Sequence, residues 1–358
     1  MRIIEVVKDT GGMHAVRPVG DALAAMGHTV HRLANGVSVK ALEAAGQQFE
    51  TATGPEEVLS RRGIPDVLLT SMCSDGGIGR DLVPLVRSGT VVVAVQDQWG
   101  GRLNTDWRDA VYRPNYVVVN DPVGVRLVRE AWPDFPAERI HALGYAALDS
   151  LAHFSREFAR SEVRGPFGLG IVDAVPLIYV SGQLHGSGAM LEALAGALPK
   201  EFSGHVWLGK HPRMDESNPA LAEEWGRWNT AATRLPVLHR NFACSELLRI
   251  AAADVVVSMF STALMHAAAL RVPAISIVFP GSVMQQAYVR ETGGLLSVHP
   301  LVELGCVAGS TSVPMLREHL SDALRGALIK QLTPAQDAFL RVDGMTGQRI
   351  AQFIHDLF

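Results

Sequence analysis

The sequence is short of the residues that mark several protein classes. It holds three cysteines in 358 residues, Cys73, Cys244 and Cys306. They are far apart, odd in number and form no Cys-x-x-Cys pair, which argues against a disulfide framework or a cysteine zinc site and fits a reducing, cytoplasmic setting. Charged residues make up only 19% and the net charge is -4. Such a chain carries no broad basic surface for a polyanion, so nucleic acid is not among the expected partners. Long hydrophobic runs are also missing. The most apolar stretch, residues 251–279, is interrupted by Asp254, His266 and Arg271, too many charges for a membrane span. The first residues lack the basic and apolar blocks of a secretory signal. There is no short internal repeat and no low-complexity tract.

What is present is a β/α rhythm. Ile3–Val7, "DVLLT" at 66–70, "TVVVAV" at 90–95 and "YVVVN" at 116–120 alternate with amphipathic segments, the first of them a helix expected over 14–26. Continuous β-branched runs of this kind are parallel strands covered on both faces. The second half repeats the scheme with "PLIYVSG" at 176–182, "GHVWLGKHP" at 204–212, "ADVVVS" at 253–258 and "AISIVFP" at 274–280. The expected fold class is therefore α/β with two Rossmann-like, doubly wound domains. The expected boundaries are 1–165 for the N-terminal domain and 170–335 for the C-terminal one, with a connecting helix and linker before 170. A last helix is expected within 336–358, opened by Thr333-Pro334 and packing by its apolar face, against the N-terminal domain or across both domains.

Ligands of doubly wound sheets bind outside the carboxyl ends of the strands, and the notable polar clusters all fall there. Gly11-Gly12-Met13-His14 follows the first strand, where glycines let backbone amides approach a ligand. It is neither a G-x-G-x-x-G fingerprint nor a Walker loop, so NAD and ATP are not the expected ligands. Ser181-Gly182-Gln183-Leu184-His185-Gly186-Ser187-Gly188 is a second small-residue loop after a strand. Lys210, His211 and Arg213, around Pro212, present groups suited to phosphate oxygens. Ser258, Ser261 and Thr262 sit at a strand-to-helix junction, where hydroxyls cap a helix or bind phosphate. Each cluster also has a plain structural reading as a tight connection, a solvated basic loop or a helix cap.

These same residues carry a resemblance. The stretch Gly11-Gly12-Met13-His14, Pro18, Ala22-Leu23 and Gly27-His28-Thr29-Val30 resembles the glycine-rich first loop of the N-acetylglucosaminyltransferase that makes lipid II, with two glycines fewer. "AADVVVSMFSTALMHAAALRVPAISIVFP", followed by Gln285-Gln286-Ala287 and Gly293-Gly294, is similar to the donor side of that enzyme, and "ERIHALGYAALDSL" at 138–151 to its interdomain segment. "KHPR" with Ser261-Thr262 resembles phosphate-binding motifs of bacterial sialyltransferases and teichoic acid transferases. The chain thus resembles the GT-B superfamily, which also includes CDP-glycerol glycerophosphotransferases and UDP-N-acetylglucosamine 2-epimerases. The resemblance implies two domains facing across a cleft and a metal-independent transfer from a nucleotide-activated donor, in cell-surface glycan or glycoconjugate synthesis. The nucleotide, UDP or CDP among others, stays open, because His266 stands where many relatives have a ribose-binding glutamate.

In that reading no cofactor is needed and no DxD-type metal motif is seen. The donor-binding residues are Gly12, Gly182, His185, Lys210, His211, Arg213, Ser258, Ser261, Thr262, Gln285 and Gln286, with cationic and amide groups stabilising the leaving phosphate. Acceptor activation needs a base, and the candidates are His14, then Asp75, then Asp97. Trp99 and Trp107 offer flat faces for a sugar. The acceptor is a sugar, a polyol or a lipid-linked molecule, the last of which would bring peripheral contact with the inner face of a membrane. Two alternatives stay open: a UDP-sugar 2-epimerase or hydrolase on the same fold, and a non-catalytic subunit that binds a nucleotide sugar.

Overall fold

The computed structural model describes residues 1–72, 76–97, 99, 102–171, 175–211, 218–238 and 244–358. The chain divides into two compact units. The first comprises Met1–Ala152, Glu291–Leu296 and Arg341–Phe358, and the second His153–Arg290 and Ser297–Leu340.

The first unit is built on strands β1 (Arg2–Val7), β2 (Thr29–Ala34), β3 (Glu50–Thr51), β4 (Val67–Ser71), β5 (Val91–Val95), β6 (Tyr116–Val119) and β7 (Ile140–Ala142). They form one parallel sheet in the order β3-β2-β1-β4-β5-β6-β7. Helices α1 (Thr10–Ala25), α2 (Ser38–Ala44), α3 (Pro55–Arg62), α4 (Ile78–Val86) and α5 (Pro122–Ala131) connect them. Ile3, Ile4, Val67, Leu68, Val93 and Val117 are fully buried, as strands covered on both faces require. β2 was not foreseen, because Thr29, His31 and Arg32 break its apolar run and its first half stays partly exposed.

The first helix corrects an expectation. It begins at Thr10 rather than at 14, so Gly11 and Gly12 lie in its first turn instead of in a loop. The cause is Asp9, whose carboxylate caps the helix by accepting from the Gly12 amide at 2.6 Å. Glycine is tolerated in this turn because a β-carbon at Gly12 would stand 2.1 Å from Ser71 Oγ of β4. Replacing Gly12 by alanine should therefore destabilise the unit by about 1–3 kcal/mol through overpacking. Thermal melting reads this as a lowered Tm, and an unchanged Tm would mean that Ser71 simply turns away.

The second unit holds β8 (Leu177–Ser181), β9 (His205–Gly209), β10 (Val255–Ser258), β11 (Ala274–Ile277) and β12 (Ala308–Ser310), again all parallel, in the order β12-β11-β10-β8-β9. Its helices are α6 (Arg156–Phe167), α7 (Ser187–Ala197), α8 (Ala222–Ala232), α9 (Glu246–Ala252), α10 (Thr262–Ala269), α11 (Val283–Glu291), α12 (Pro300–Glu303), α13 (Val313–Leu324) and α14 (Ala327–Phe339). Ile178, Val206, Val257 and Ile275 meet Met190, Leu194, Leu316 and Leu320 of the covering helices in one core. Thr333-Pro334 was expected to open the last helix but lies inside α14. Pro334 is exposed, so the carbonyl left without its helical donor can be hydrated.

α15 (Thr346–His355) belongs to the first unit and lies along α1. The contact is close because Gly347 leaves room for the Pro18 carbonyl, 2.8 Å from where a β-carbon would be. Asp149 fixes its start by accepting from the amides of Thr346 and Gly347 at 3.0 and 2.7 Å, a carboxylate at the positive end of the helix. Among the described residues no helix is long and apolar enough to cross a membrane.

Candidate functional site

Parallel open sheets place their ligands where the strand order reverses. In the second unit that reversal falls between β8 and β10, which are neighbours although β9 separates them in sequence. The loops leaving these two strands lead into α7 and α10, and they meet. Gly186, left-handed at φ 80°, lies against Met259 and Met284, so the ends of β8 and β10 and the start of α11 share one edge.

Ser261 caps α10, its Oγ accepting from the Ala263 amide at 3.1 Å. The same oxygen lies 3.2 Å from Ser181 Oγ, which donates to Glu246 Oε1 at 2.9 Å. Tyr179 donates to that carboxylate oxygen too, at 3.0 Å. Burial, with the Glu246 charge beside it, pushes the phenol well above its ordinary range, so Tyr179 acts as a neutral donor. Thr262 follows at the first helical position and is half-buried. Lys210, just past β9, is exposed and holds its ammonium 4.3 Å over the Trp225 ring, which pre-orients the cation. His211 is half-buried next to it and His185 is exposed just before Gly186.

Other expected donor residues have plainer duties. Ser258 is fully buried and donates to the Ser181 carbonyl at 2.6 Å, a tie between β10 and β8. Gly182 is small because the Gly209 carbonyl and the Trp228 ring stand 3.0 and 3.1 Å from where its β-carbon would be. Gln285 turns back to accept from the Gly281 amide at 2.8 Å, while Gln286 is exposed. Arg213 and Asp75 lie outside the described residues.

The sequence reading missed Glu246 and Glu224. Glu224 of α8 accepts from the Gly188 amide in the first turn of α7 at 2.6 Å. A carboxylate of the chain thus already occupies the anion-favouring end of α7, whereas α10 starts on a neutral hydroxyl, Ser261, as α9 does on Ser245. Neither glutamate sits in a motif. Only folding brings them to the strand ends.

In the first unit the order reverses between β1 and β4, and Gly12 and Ser71 mark that point. Asp97, past β5, is buried and its Oδ2 lies 3.4 Å from where a β-carbon of Gly11 would be. Tyr145 is buried close by, its phenol pushed far up by burial and then by the charges of Asp97 and Asp9. His14 is in the second turn of α1 rather than at its mouth, and its ring reaches solvent. Desolvation by the protein around it lowers its pKa from the ordinary histidine value, which favours the neutral imidazole a base requires. Trp99 and Trp107 are not sugar platforms: both are buried, and Trp99 donates to Asp121 at 2.6 Å.

Two Rossmann-like parallel sheets in one chain, each with polar groups at the reversal of strand order, define an α/β protein of the doubly wound class. No protein-family model and no curated protein sequence matches the chain. Solved structures match it along its length. A glycosyltransferase from Rickettsia africae ESF-5 is 13% identical, covering 99% of this chain and 98% of its own, with a TM-score of 0.63. Alr3699/HepE of Anabaena, solved in complex with UDP and glucose, is 14% identical over 99% and 100%, with a TM-score of 0.67. The UDP-GlcNAc 2-epimerase of Methanocaldococcus jannaschii is 14% identical over 99% of both, with a TM-score of 0.60. The fold of this chain is the GT-B fold.

Proposed function

We propose that the protein is a metal-independent transferase that moves a sugar, or a polyol phosphate, from a nucleotide-activated donor to an acceptor hydroxyl. The observation that carries the reading is the meeting of the β8/β10 reversal with the Ser261 cap and Thr262 of α10, Lys210 and His211 standing at the end of β9. In the proposed mechanism the donor phosphate takes hydrogen bonds from Ser261, Thr262 and the first-turn amides, and Lys210 and His211 offset the charge that grows on the leaving group. His14 takes the acceptor proton as the new bond forms at the transferred carbon or phosphorus. Asp75, outside the described residues, is the second candidate for that base, and Asp97 the third. The solved structures with UDP support a nucleotide-diphosphate donor, and UDP is the first nucleotide to test, with CDP second.

The test is a thermal-shift panel of UDP, CDP, GDP and TDP sugars. A ligand at one hundred times its dissociation constant should add about 2.7 kcal/mol of stability, and a panel with no shift removes the reading. Ser261→Ala should weaken nucleotide affinity roughly 10- to 100-fold in calorimetry, the value of a hydrogen bond to a charged group. An unchanged dissociation constant would take Ser261 out of the site.

A second reading, a UDP-sugar 2-epimerase or hydrolase, is favoured by the likeness to the archaeal epimerase. It predicts donor turnover with no acceptor present, so product analysis without acceptor separates the two. Binding without any turnover would leave the third reading, a non-catalytic nucleotide-sugar-binding subunit.

A further inference from the structure

The opposite edge of the second sheet carries a separate feature. Pro176, Asp254 and Pro273 stand just before β8, β10 and β11, at the amino ends of the strands and away from the β8/β10 crevice. α6 sends Arg156, Arg160 and Arg164, spaced by four, to this edge. Two of the three guanidinium groups share one carboxylate. Asp254 accepts from Arg160 at 2.6 Å and from Arg164 at 3.2 Å, and also from the Leu177 amide at 2.8 Å. Arg156 bonds only to carbonyls, those of Ala251, Arg271 and Ala253, at 3.4, 3.2 and 3.2 Å. Burial, followed by the charge of Arg160, lowers its pKa to about 10. Arg156 thus stays a cation at neutral pH; Asp254 attracts it through space, but its hydrogen bonds go to neutral carbonyls.

Beside these arginines lies a cavity of about 440 Å³, within the size range of small-ligand sites. Its lining combines Arg156, Arg160 and Arg271 with the carboxylates of Asp254 and the exposed Glu157, and with the apolar groups of Pro273, Leu324 and Ile329. Arg271 has φ 57°, the one positive φ of a non-glycine among the described residues. It follows the end of α10, its amide bonding the Ala268 carbonyl at 3.2 Å and the next amide, Val272, bonding Ala267 at 2.8 Å. Glycine is the residue that takes this position at least cost. An arginine there keeps a side chain that bonds Gln336 and Asp337 and joins the lining.

We infer that this cavity is a second binding site, for an organic phosphate monoester whose phosphate faces the guanidinium groups and whose apolar body lies on Pro273, Leu324 and Ile329. Guanidinium groups match phosphate oxygens in bidentate geometry, and an anion here would give Arg156 the charged hydrogen-bond partner that its three carbonyls are not. The inference does not rest on the transferase reading.

The probe is phenyl phosphate, with inorganic phosphate as the ligand without an apolar body, titrated calorimetrically into the full chain at constant ionic strength. Saturable binding of phenyl phosphate, tighter than that of inorganic phosphate, is expected. Ile329→Glu, which puts a competing carboxylate into the lining without removing an arginine, should weaken it at least tenfold, and Arg156→Met should do the same. Ser261→Ala at the other edge should leave it unchanged, which keeps failure here distinct from failure of the proposed donor site. Absence of saturable binding, or binding that Ile329→Glu leaves at the wild-type value, overturns the inference even if Arg156→Met does not fold.

Discussion

Alanine at His14 is expected to lower kcat with a nucleotide-sugar donor by about 10²- to 10⁴-fold, the usual worth of a positioned general base. The donor KM should change little, because the proposed donor groups lie on β9, α10 and their loops and not on α1. A pH profile adds a second readout. The protein around His14 disfavours its cation, so the acid limb of the wild-type profile should fall below the ordinary histidine range near 6.5 and disappear in the variant. A variant with the wild-type rate and an intact acid limb would pass the role to Asp97 or Asp75.

The second large effect concerns stability. Glu5 lies in the middle of β1, 2% exposed, with its carboxylate facing α1. Gly20 of α1 makes the space: a β-carbon there would stand 1.7 Å from Glu5 Oε2. Arg32 of β2 is 3.7 Å from that oxygen, near enough to attract but too far to hydrogen bond, and Arg32 also pairs with Asp21. Burial wins over the attraction of Arg32 and Arg17 and raises the Glu5 pKa from 4.5 to about 7.

The sign follows from linkage. A carboxyl whose folded pKa is raised contributes its full stability below pH 4.5 and loses it as pH rises through about 7, since the unfolded chain ionises more easily. The loss approaches about 3 kcal/mol by pH 8, at 1.36 kcal/mol for each pKa unit. Glu5→Gln should therefore stabilise the first unit by about that amount at pH 8 and hardly at all at pH 4.5. Hydrogen exchange of the β1 and β2 peptides, compared with wild type at the same pH, should show protection raised on the order of a hundredfold at pH 8. Equal protection at both pH values would mean that Glu5 is ionised at little cost in the folded protein.

Fold and site were legible to different degrees. β4, β5, β6, β8 and β10 showed themselves as continuous, mainly apolar runs, and β1 as such a run interrupted only by Glu5, because a strand buried on both faces favours apolar residues at nearly every position. β2 and β12 did not: one alternates with polar residues at a partly exposed face, and the other is the three residues Ala308–Ser310. The start of α1 was misplaced because two glycines read as a loop, whereas the Asp9 cap and the nearness of Ser71 make glycine acceptable in a helical turn.

Residue type and spacing by themselves determined the two parallel sheets and the placing of hydroxyls, glycines and cations at strand ends, since local burial and turn chemistry are written in adjacent residues. The use of each of those groups was decided by tertiary structure alone. Ser258 and Ser261 are three positions apart and chemically the same, yet the first is sealed against a neighbouring strand and the second caps a helix at the edge of the sheet. Glu224, Glu246 and the arginines of α6 likewise acquired their partners from segments tens of residues away. A hydrogen bond depends on atoms brought within about 3 Å, and for groups distant in sequence only the packed chain sets that distance.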